Sequence, residues 1–315
     1  MRWITVQITG QTNRKSCLKL VACCLLLIGW TVGAAAAETT PLRILLTNDD
    51  GYDAPGIKVL RKTLVAAGYE VTVVAPLTNQ SGSGIRVTIG GTLAVKEQSS
   101  GVWSVDGSPA DAVLVGLQRV YDELPDIVVS GANFGPNLGY AGSSGTLGAA
   151  TMATYVGVPA IAISVGVDPA EQGMTPIPFP STFEAFGGAA ELMTRLIRDL
   201  QDSRAGQDNL LPARTVLNVN YPPVGTQELR GVRVVPATWD AGVRIDYIDT
   251  GVAEQLGVNL RVLAPGESMD NDADWQWFAR GFATITVLDG NSDAGDSARV
   301  EVSRRLSMQP EKTED

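Results

Sequence analysis

From Arg43 onward, short runs of β-branched and leucine residues alternate with stretches of helical periodicity. This alternation restricts the chain to strand–helix–strand units around a parallel sheet. Residues 43–47 read as a first strand, and residues 57–67 as a helix with Ile57, Leu60 and Leu64 on one face, ended by Gly68; residues 70–75 read as a second strand. A helical stretch at 110–121 precedes a strand at 126–129, a Gly/Asn loop, a helix of small residues from Thr146 and a strand at 158–164. A longer helix at 183–200 and a strand at 216–219 complete the pattern. The expected fold is α/β, a Rossmann-like layered and mostly parallel sheet with helices on both faces. Residues 87–105, with Gly90 and Gly91 between alternating segments, read as a hairpin insertion.

The ends of the chain read differently. Arg2, Arg14, Lys15 and Lys19 precede an apolar run from Leu20 to Ala37, whose Ala34-Ala35-Ala36-Ala37 ending offers a cleavage site before Glu38. This order reads as a signal peptide over residues 1–37, and so as a periplasmic or secreted protein without membrane attachment once cleaved; an uncleaved anchor is the alternative. Cys17, Cys23 and Cys24 all fall inside this segment, so the mature chain is expected to have neither thiol nor disulfide. Residues 38–230 are expected to form the catalytic core. Short strand-like segments over 231–290 read as an accessory β-arm, packed on the core or on a partner subunit, and 291–315 as a partly disordered tail.

Composition then narrows the chemistry. With 315 residues and 44 % hydrophobic content the chain can bury a full core. It contains no histidine, which excludes Ser-His-Asp and Cys-His catalysis, His-ligated zinc and imidazole acid–base chemistry. A formal charge of −10 argues against extended nucleic acid as a partner and requires any small anionic substrate to meet a concentrated positive element.

In open parallel sheets ligands bind beyond the carboxyl ends of the strands, and three loops there stand out. After the first strand, Asn48-Asp49-Asp50-Gly51 places two adjacent carboxylates whose repulsion a cation would relieve; an Asp capping the next helix is the alternative. After the second comes Pro76 to Gly84, rich in short polar side chains and glycine, with Ser81 at its centre. After the strand at 126–129, Ser130 to Gly139 supplies neutral carbonyl oxygens from Asn133 and Asn137, although a plain turn uses the same residues. Beyond it, Ser143-Ser144-Gly145-Thr146 opens a helix whose free amides make an anion site. Two carboxylates with neutral Ser and Asn oxygens describe a hard-cation site suited to Mg2+ or Mn2+, and the neighbouring amides describe a phosphate cradle.

These residues resemble the SurE (survival protein E) family of 5'/3'-nucleotidases. The match runs in order through Asn48-Asp49-Asp50-Gly51, Ala54-Pro55-Gly56, Ala75-Pro76, Asn79-Gln80-Ser81-Gly82, Gly107-Ser108-Pro109-Ala110-Asp111, Pro125-Asp126, Ser130 to Gly139 and Ser144-Gly145-Thr146. The resemblance implies one divalent metal ion per subunit, Mg2+ or Mn2+, held by Asp49, Asp50, Ser81 and Asn133, with Asp49 and Asp50 also catalytic. It implies phosphate contacts at Ser144, Gly145 and Thr146, with Asn137 beside them. It further implies hydrolysis of nucleoside monophosphates with a side activity on short polyphosphate, and a homodimer or homotetramer built partly through the C-terminal arm. The chain departs from the family between Gly139 and Ser144, which is shorter and lacks an acidic residue, and at Ser108, where threonine is typical. Its export signal differs from the family's usual cytoplasmic members.

Three other readings are separable from this one. A phosphoreceiver domain would need an Asp where Ser130 stands. An exported α/β solute-binding protein would not need Asp49-Asp50 beside a Ser-Gly-Thr helix start. A catalytically silent relative would keep the site without turnover. The expected reaction is attack of water on phosphorus, with the ion acting as Lewis acid and activating that water. Asp50 and Thr146 are expected to lie in separable halves of the site, Thr146→Val leaving metal affinity nearly unchanged.

Overall fold

The computed structural model describes residues 41–139, 142–204, 209–238, 243–262, 272–290 and 295–306. The signal-peptide reading and parts of the 291–315 tail lie outside these. Among the described residues, no helix is long and apolar enough to cross a membrane.

Eleven strands appear among the described residues, in chain order: β1 (Arg43–Thr47), β2 (Glu70–Pro76), β3 (Val95–Ser99), β4 (Val102–Val105), β5 (Ile127–Phe134), β6 (Ala160–Val165), β7 (Thr215–Tyr221), β8 (Val232–Val234), β9 (Val243–Asp249), β10 (Leu256–Val262) and β11 (Ala283–Asp289). Nine of them form one sheet in the order β3-β4-β2-β1-β5-β6-β7-β11-β8. From β4 to β7 every pairing is parallel; β3 against β4 and β11 against β7 are antiparallel. β5 and β6 are apolar or small throughout and almost wholly buried, as strands covered on both faces must be.

The helices are α1 (Pro55–Ala66), α2 (Pro109–Val115), α3 (Gly145–Tyr155), α4 (Pro180–Ser203), α5 (Asp274–Ala279) and α6 (Gly295–Arg305). α1 and α4 pack together on one face and α2 and α3 on the other. Side chains alternate across the strands, so each face has its own core. Ile44, Leu46, Ile57, Leu60, Val129 and Phe186 fill one, while Leu45, Val74, Val113, Val128 and Leu147 fill the other.

Several segments differ from the sequence reading. The helix expected at 110–121 is α-helical only to Val115, and residues 116–120 form a wider π turn. The loop expected from Ser130 is strand as far as Phe134, because Asn133 and Phe134 still pair with Ser164 and Val165 of β6. The 87–105 hairpin turns at Ser100-Gly101 instead of Gly90-Gly91, and β4 pairs in parallel with β2, so the hairpin extends the sheet. Residues 87–94 stay irregular because Asp111 fastens them: its carboxylate accepts Thr88 N–H at 2.8 Å and Ser108 N–H at 2.9 Å. Ser108 in turn accepts Asp111 N–H at 3.1 Å, closing a reciprocal cap at the start of α2. The Gly107–Asp111 motif is therefore architectural.

Residues 231–290 do not form one arm. β8 and β11 belong to the main sheet, with Ala283, Thr284 and Ile285 paired to Val232, Arg233 and Val234. β9 and β10 stand apart, as a two-stranded antiparallel sheet. The segment read as a partly disordered tail contains α6, whose Glu301 is paired with Arg304 and Arg305.

Candidate active site

β1 and β5 are adjacent, while the chain leaves β1 for β2 on one side and β5 for β6 on the other. The topological switch point, where open sheets leave a crevice, lies between them. Asp49 and Asp50 follow β1 directly, and Asn133 stands near the end of β5. The β5–β6 pairing slips between Ser130 and Asn133, a local irregularity that re-aims the side chains leaving the sheet.

Asn48 closes the turn that carries the two acids. Its amide donates to Gly51 O at 2.9 Å, and its carbonyl accepts Gly51 N–H at 3.2 Å. The second loop lies against this turn, with Gln80 N–H donating to Asp49 O at 2.7 Å.

The two carboxylates are held differently. Asp49 is buried, and Thr146 Oγ donates to its Oδ1 at 2.6 Å. Burial pushes its carboxyl above the ordinary value, against hydrogen bonds from the Thr146 hydroxyl and from the amides of Asp49, Thr146 and Gly145. The anion facing the start of α3 is therefore Asp49 itself. Asp50 accepts Phe134 N–H at 3.0 Å on one oxygen and, at 3.4 Å, the Asn79 amide on the other. Burial raises its pKa to about 6, the Phe134 N–H opposing and the charge on Asp49 adding to the rise. Among the described residues neither acid has a Lys or Arg ion-pair partner.

The start of α3 is crowded onto this pair. A Cβ on Gly145 would sit 2.7 Å from Asp49 Cβ and 2.8 Å from Ser83 Oγ, and one on Gly148 would sit 2.1 Å from Gly84 O. Glycine at both positions lets the helix start, the second loop and Asp49 meet. Ser144 caps the helix by accepting Leu147 N–H at 3.1 Å.

Two residues expected to contact phosphate are otherwise engaged. The Thr146 proton goes to Asp49. The Asn137 amide donates to Ser164 Oγ at 2.8 Å, with Thr146 Oγ 3.5 Å away. The physical reason is that a buried carboxylate and a buried hydroxyl need partners more than the donors need a solvent-facing ligand. Ser81 is exposed at the tip of the second loop, where its N–H donates to Asn79 Oδ1 at 2.9 Å; Asn79 links it to Asp50. Asn133 donates its amide to Gly135 O at 2.7 Å.

The sequence reading missed several residues. Ser83 Oγ is buried, without a hydrogen-bond partner, and close to the Asp49–Gly145 contact. Asn218 and Asn220 of β7 donate to Asn137 O at 2.8 and 3.0 Å, and Asn220 accepts Asn137 N–H at 2.7 Å. Buried Asp274 of α5 accepts Gly139 N–H at 2.8 Å and Thr238 N–H at 3.0 Å. The alternation Asn218-Val219-Asn220 was a usable signal, since two amides two residues apart in a strand share a face. Asp274 gave none, because its partner lies 135 residues away.

The arrangement fits a divalent cation. Every nearby donor is a hard oxygen, Asp49 is buried and Asp50 partly buried with no positive partner among the described residues, and the Ser83 and Ser130 hydroxyls are buried and unpartnered. Among the described residues no cluster of three acids, histidines or cysteines occurs, so neutral oxygens would complete the shell.

Comparison with known proteins agrees with this geometry. The family model "Survival protein SurE" matches residues 44–241. The "5'-nucleotidase SurE" of Nitratidesulfovibrio vulgaris (strain DSM 19637 / Miyazaki F) is 38% identical over 258 residues, covering 78% of this chain and 86% of that protein. The protein of the same name from Carboxydothermus hydrogenoformans is 40% identical over 201 residues, 61% of this chain and 69% of its own length. The crystal structure of the SurE protein from Aquifex aeolicus superposes with a TM-score of 0.68 at 29% identity, covering 84% of this chain and 99% of that one. The family match spans the first and third site loops, the cap of α3 and the β7 asparagines together, and on that ground the chain belongs to the SurE family.

Proposed function

We propose that the protein is a divalent-metal-dependent phosphomonoester hydrolase acting on nucleoside monophosphates, with short polyphosphate as a secondary substrate. The observation that carries this reading is the adjacent Asp49-Asp50 pair at the sheet's switch point, the buried Asp49 fixed by Thr146 and the partly buried Asp50 by Phe134 N–H.

Asp49, Asp50, Ser81 and Asn133 would hold the ion, Mg2+ or Mn2+. When bound, it supplies Lewis-acid neutralisation of phosphate charge and activates water. Thr146 and the α3 amides keep Asp49 in one orientation, so its carboxylate need not reorganise as charge shifts on the substrate. Ser144, whose oxygen accepts Leu147 N–H, keeps its own proton to donate to a phosphate oxygen. With no histidine in the chain, proton acceptance from water falls to the two carboxylates.

The test is hydrolysis of nucleoside 5'- and 3'-monophosphates and tripolyphosphate by purified protein, after exhaustive chelation and after adding back Mg2+ or Mn2+. Chelation should abolish release of phosphate and either ion should restore it. Full activity after chelation would remove the metal from the reading. No hydrolysis with any ion would remove the nucleotidase.

The same proposal includes self-association. An isolated two-stranded sheet is marginal in water, and the β9–β10 pair exposes Tyr247, Ile248, Leu256 and Val258. A second copy covering it would give the homodimer or homotetramer. Light scattering should find a dimer or larger for the intact chain and a monomer after the β9–β10 hairpin is replaced by a short linker. A monomeric intact chain would contradict it.

A further inference from the structure

We infer that Phe134, Phe179 and Phe183 form an aromatic ledge that holds the base of the substrate and favours purines over pyrimidines. This rests on the nucleotidase reading and adds to it a base preference and the residues that set it.

Phe134 ties the ledge to the reacting site. It follows Asn133 directly, and its N–H donates to Asp50 at 3.0 Å. Its ring centroid lies 5.8 Å from that of Phe179, edge-on at 76°, and 5.6 Å from that of Phe183, tilted at 54°. Phe183 also meets the buried Phe186 at 6.0 Å and 79°, which anchors the group in the core under α4.

Phe134 packs against the core under α4, yet the three rings are not wholly enclosed by it. Phe183 is 37% exposed, and Phe134 and Phe179 are only partly buried, although they stand beside some of the most buried residues of the chain. Phe179 has a left-handed backbone, φ 55 and ψ 50, a region that bulky residues seldom occupy and that glycine or asparagine would adopt more easily.

Position decides what the ledge could hold. α3, with Ser144 and Thr146, lies on one face of the sheet, and α4, which Phe179 caps and Phe183 belongs to, lies on the other. A ligand with its phosphate at the start of α3 therefore has the start of α4 on the far side of the crevice. The flat apolar rings suit a base, whereas ribose or a second phosphate would call for hydrogen-bond donors and charge. A purine overlaps more ring area than a pyrimidine, and the stacking is tolerant of base identity otherwise.

The experiment titrates adenosine and cytidine, which lack phosphate, into the Mg2+-supplemented full chain by calorimetry, and measures kcat/KM for adenosine 5'-monophosphate and ribose 5-phosphate. The wild-type chain should bind adenosine more tightly than cytidine. Phe183→Ala should weaken adenosine binding by about tenfold and lower the ratio of kcat/KM values, nucleotide over ribose 5-phosphate, by a similar factor. Phe183→Tyr, which keeps the ring, should restore both, and circular dichroism checks that each variant is folded. No adenosine binding by the wild type, equal binding of the two nucleosides, or a Phe183→Ala variant with unchanged adenosine affinity would overturn the ledge. If the wild type cleaves neither ester, the nucleotidase reading fails, while the adenosine titrations still decide whether the ledge binds a base.

Discussion

Thr146→Val should lower the affinity for Mg2+ or Mn2+ by roughly 10–100-fold, the usual consequence of removing a partner that orients a metal-ligating carboxylate. The substitution keeps nearly the same volume but deletes the hydroxyl that donates to Asp49 at 2.6 Å. Asp49 is then left buried with fewer donors, its charged form costs more, and it is freer to rotate away from the ion. Sequence alone predicted the opposite, a phosphate defect at unchanged metal affinity, because Thr146 opens a helix and a helix start is a general anion site. The structure fills that site with Asp49. Metal titration followed by calorimetry or thermal shift, without substrate, reads the effect directly; Thr146→Ser, which keeps the hydroxyl, should stay near the wild type. Wild-type metal affinity in Thr146→Val would show that Asp49 does not depend on this hydrogen bond.

The ionisation of Asp50 should cost the metal-free protein up to roughly 3 kcal/mol of stability as the pH rises from about 4 to about 6. The carboxyl of Asp50 is raised from its ordinary 3.8 to about 6, chiefly by burial. A raised acid binds its proton more tightly in the folded state. Its contribution is therefore complete below the unfolded value near 3.8 and is lost as the pH passes through the folded value near 6. Asp49 is raised by the same cause and adds in the same direction. Other carboxylates respond to pH with their own signs, so the measurement is urea denaturation of chelated wild type and Asp50→Asn at several pH values. The stability difference between them should move toward the variant as the pH rises. Saturating Mg2+ should reverse the movement, because an ion favours the ionised acids that burial disfavours. Parallel curves for the two proteins without metal would mean that Asp50 titrates normally.

Both expectations follow from details that a linear sequence does not contain. The identity of the loops was legible: Asp49 and Asp50 after β1, Ser81 after β2, Asn133 and Asn137 around the end of β5 and Ser144 to Thr146 at α3 all lie at the carboxyl edge of the sheet. Hydrophobic periodicity places strands, and strand order places their ends together. The capping role of Ser108 and Asp111 was equally local, a matter of residues three apart, yet the motif read as part of a family signature and gave no hint that it was a clasp.

Short-range pattern and composition were enough for the α/β layering, for the sheet edge at which the candidate site residues lie and for the exclusion of imidazole catalysis. Which donor serves which acceptor was settled by folding. Thr146 lies 97 residues from Asp49, Asp274 lies 135 from Gly139, and Asn220 lies 83 from Asn137. Folding also placed β8 and β11 in the main sheet and left the β9–β10 hairpin outside it. A hydroxyl at a helix start can donate to a substrate or to a buried acid with equal local propriety. Burial selects between them, because a carboxylate removed from water must be satisfied by the chain itself, and how deeply Asp49 is buried is set by packing among segments that meet only when the sheet is assembled.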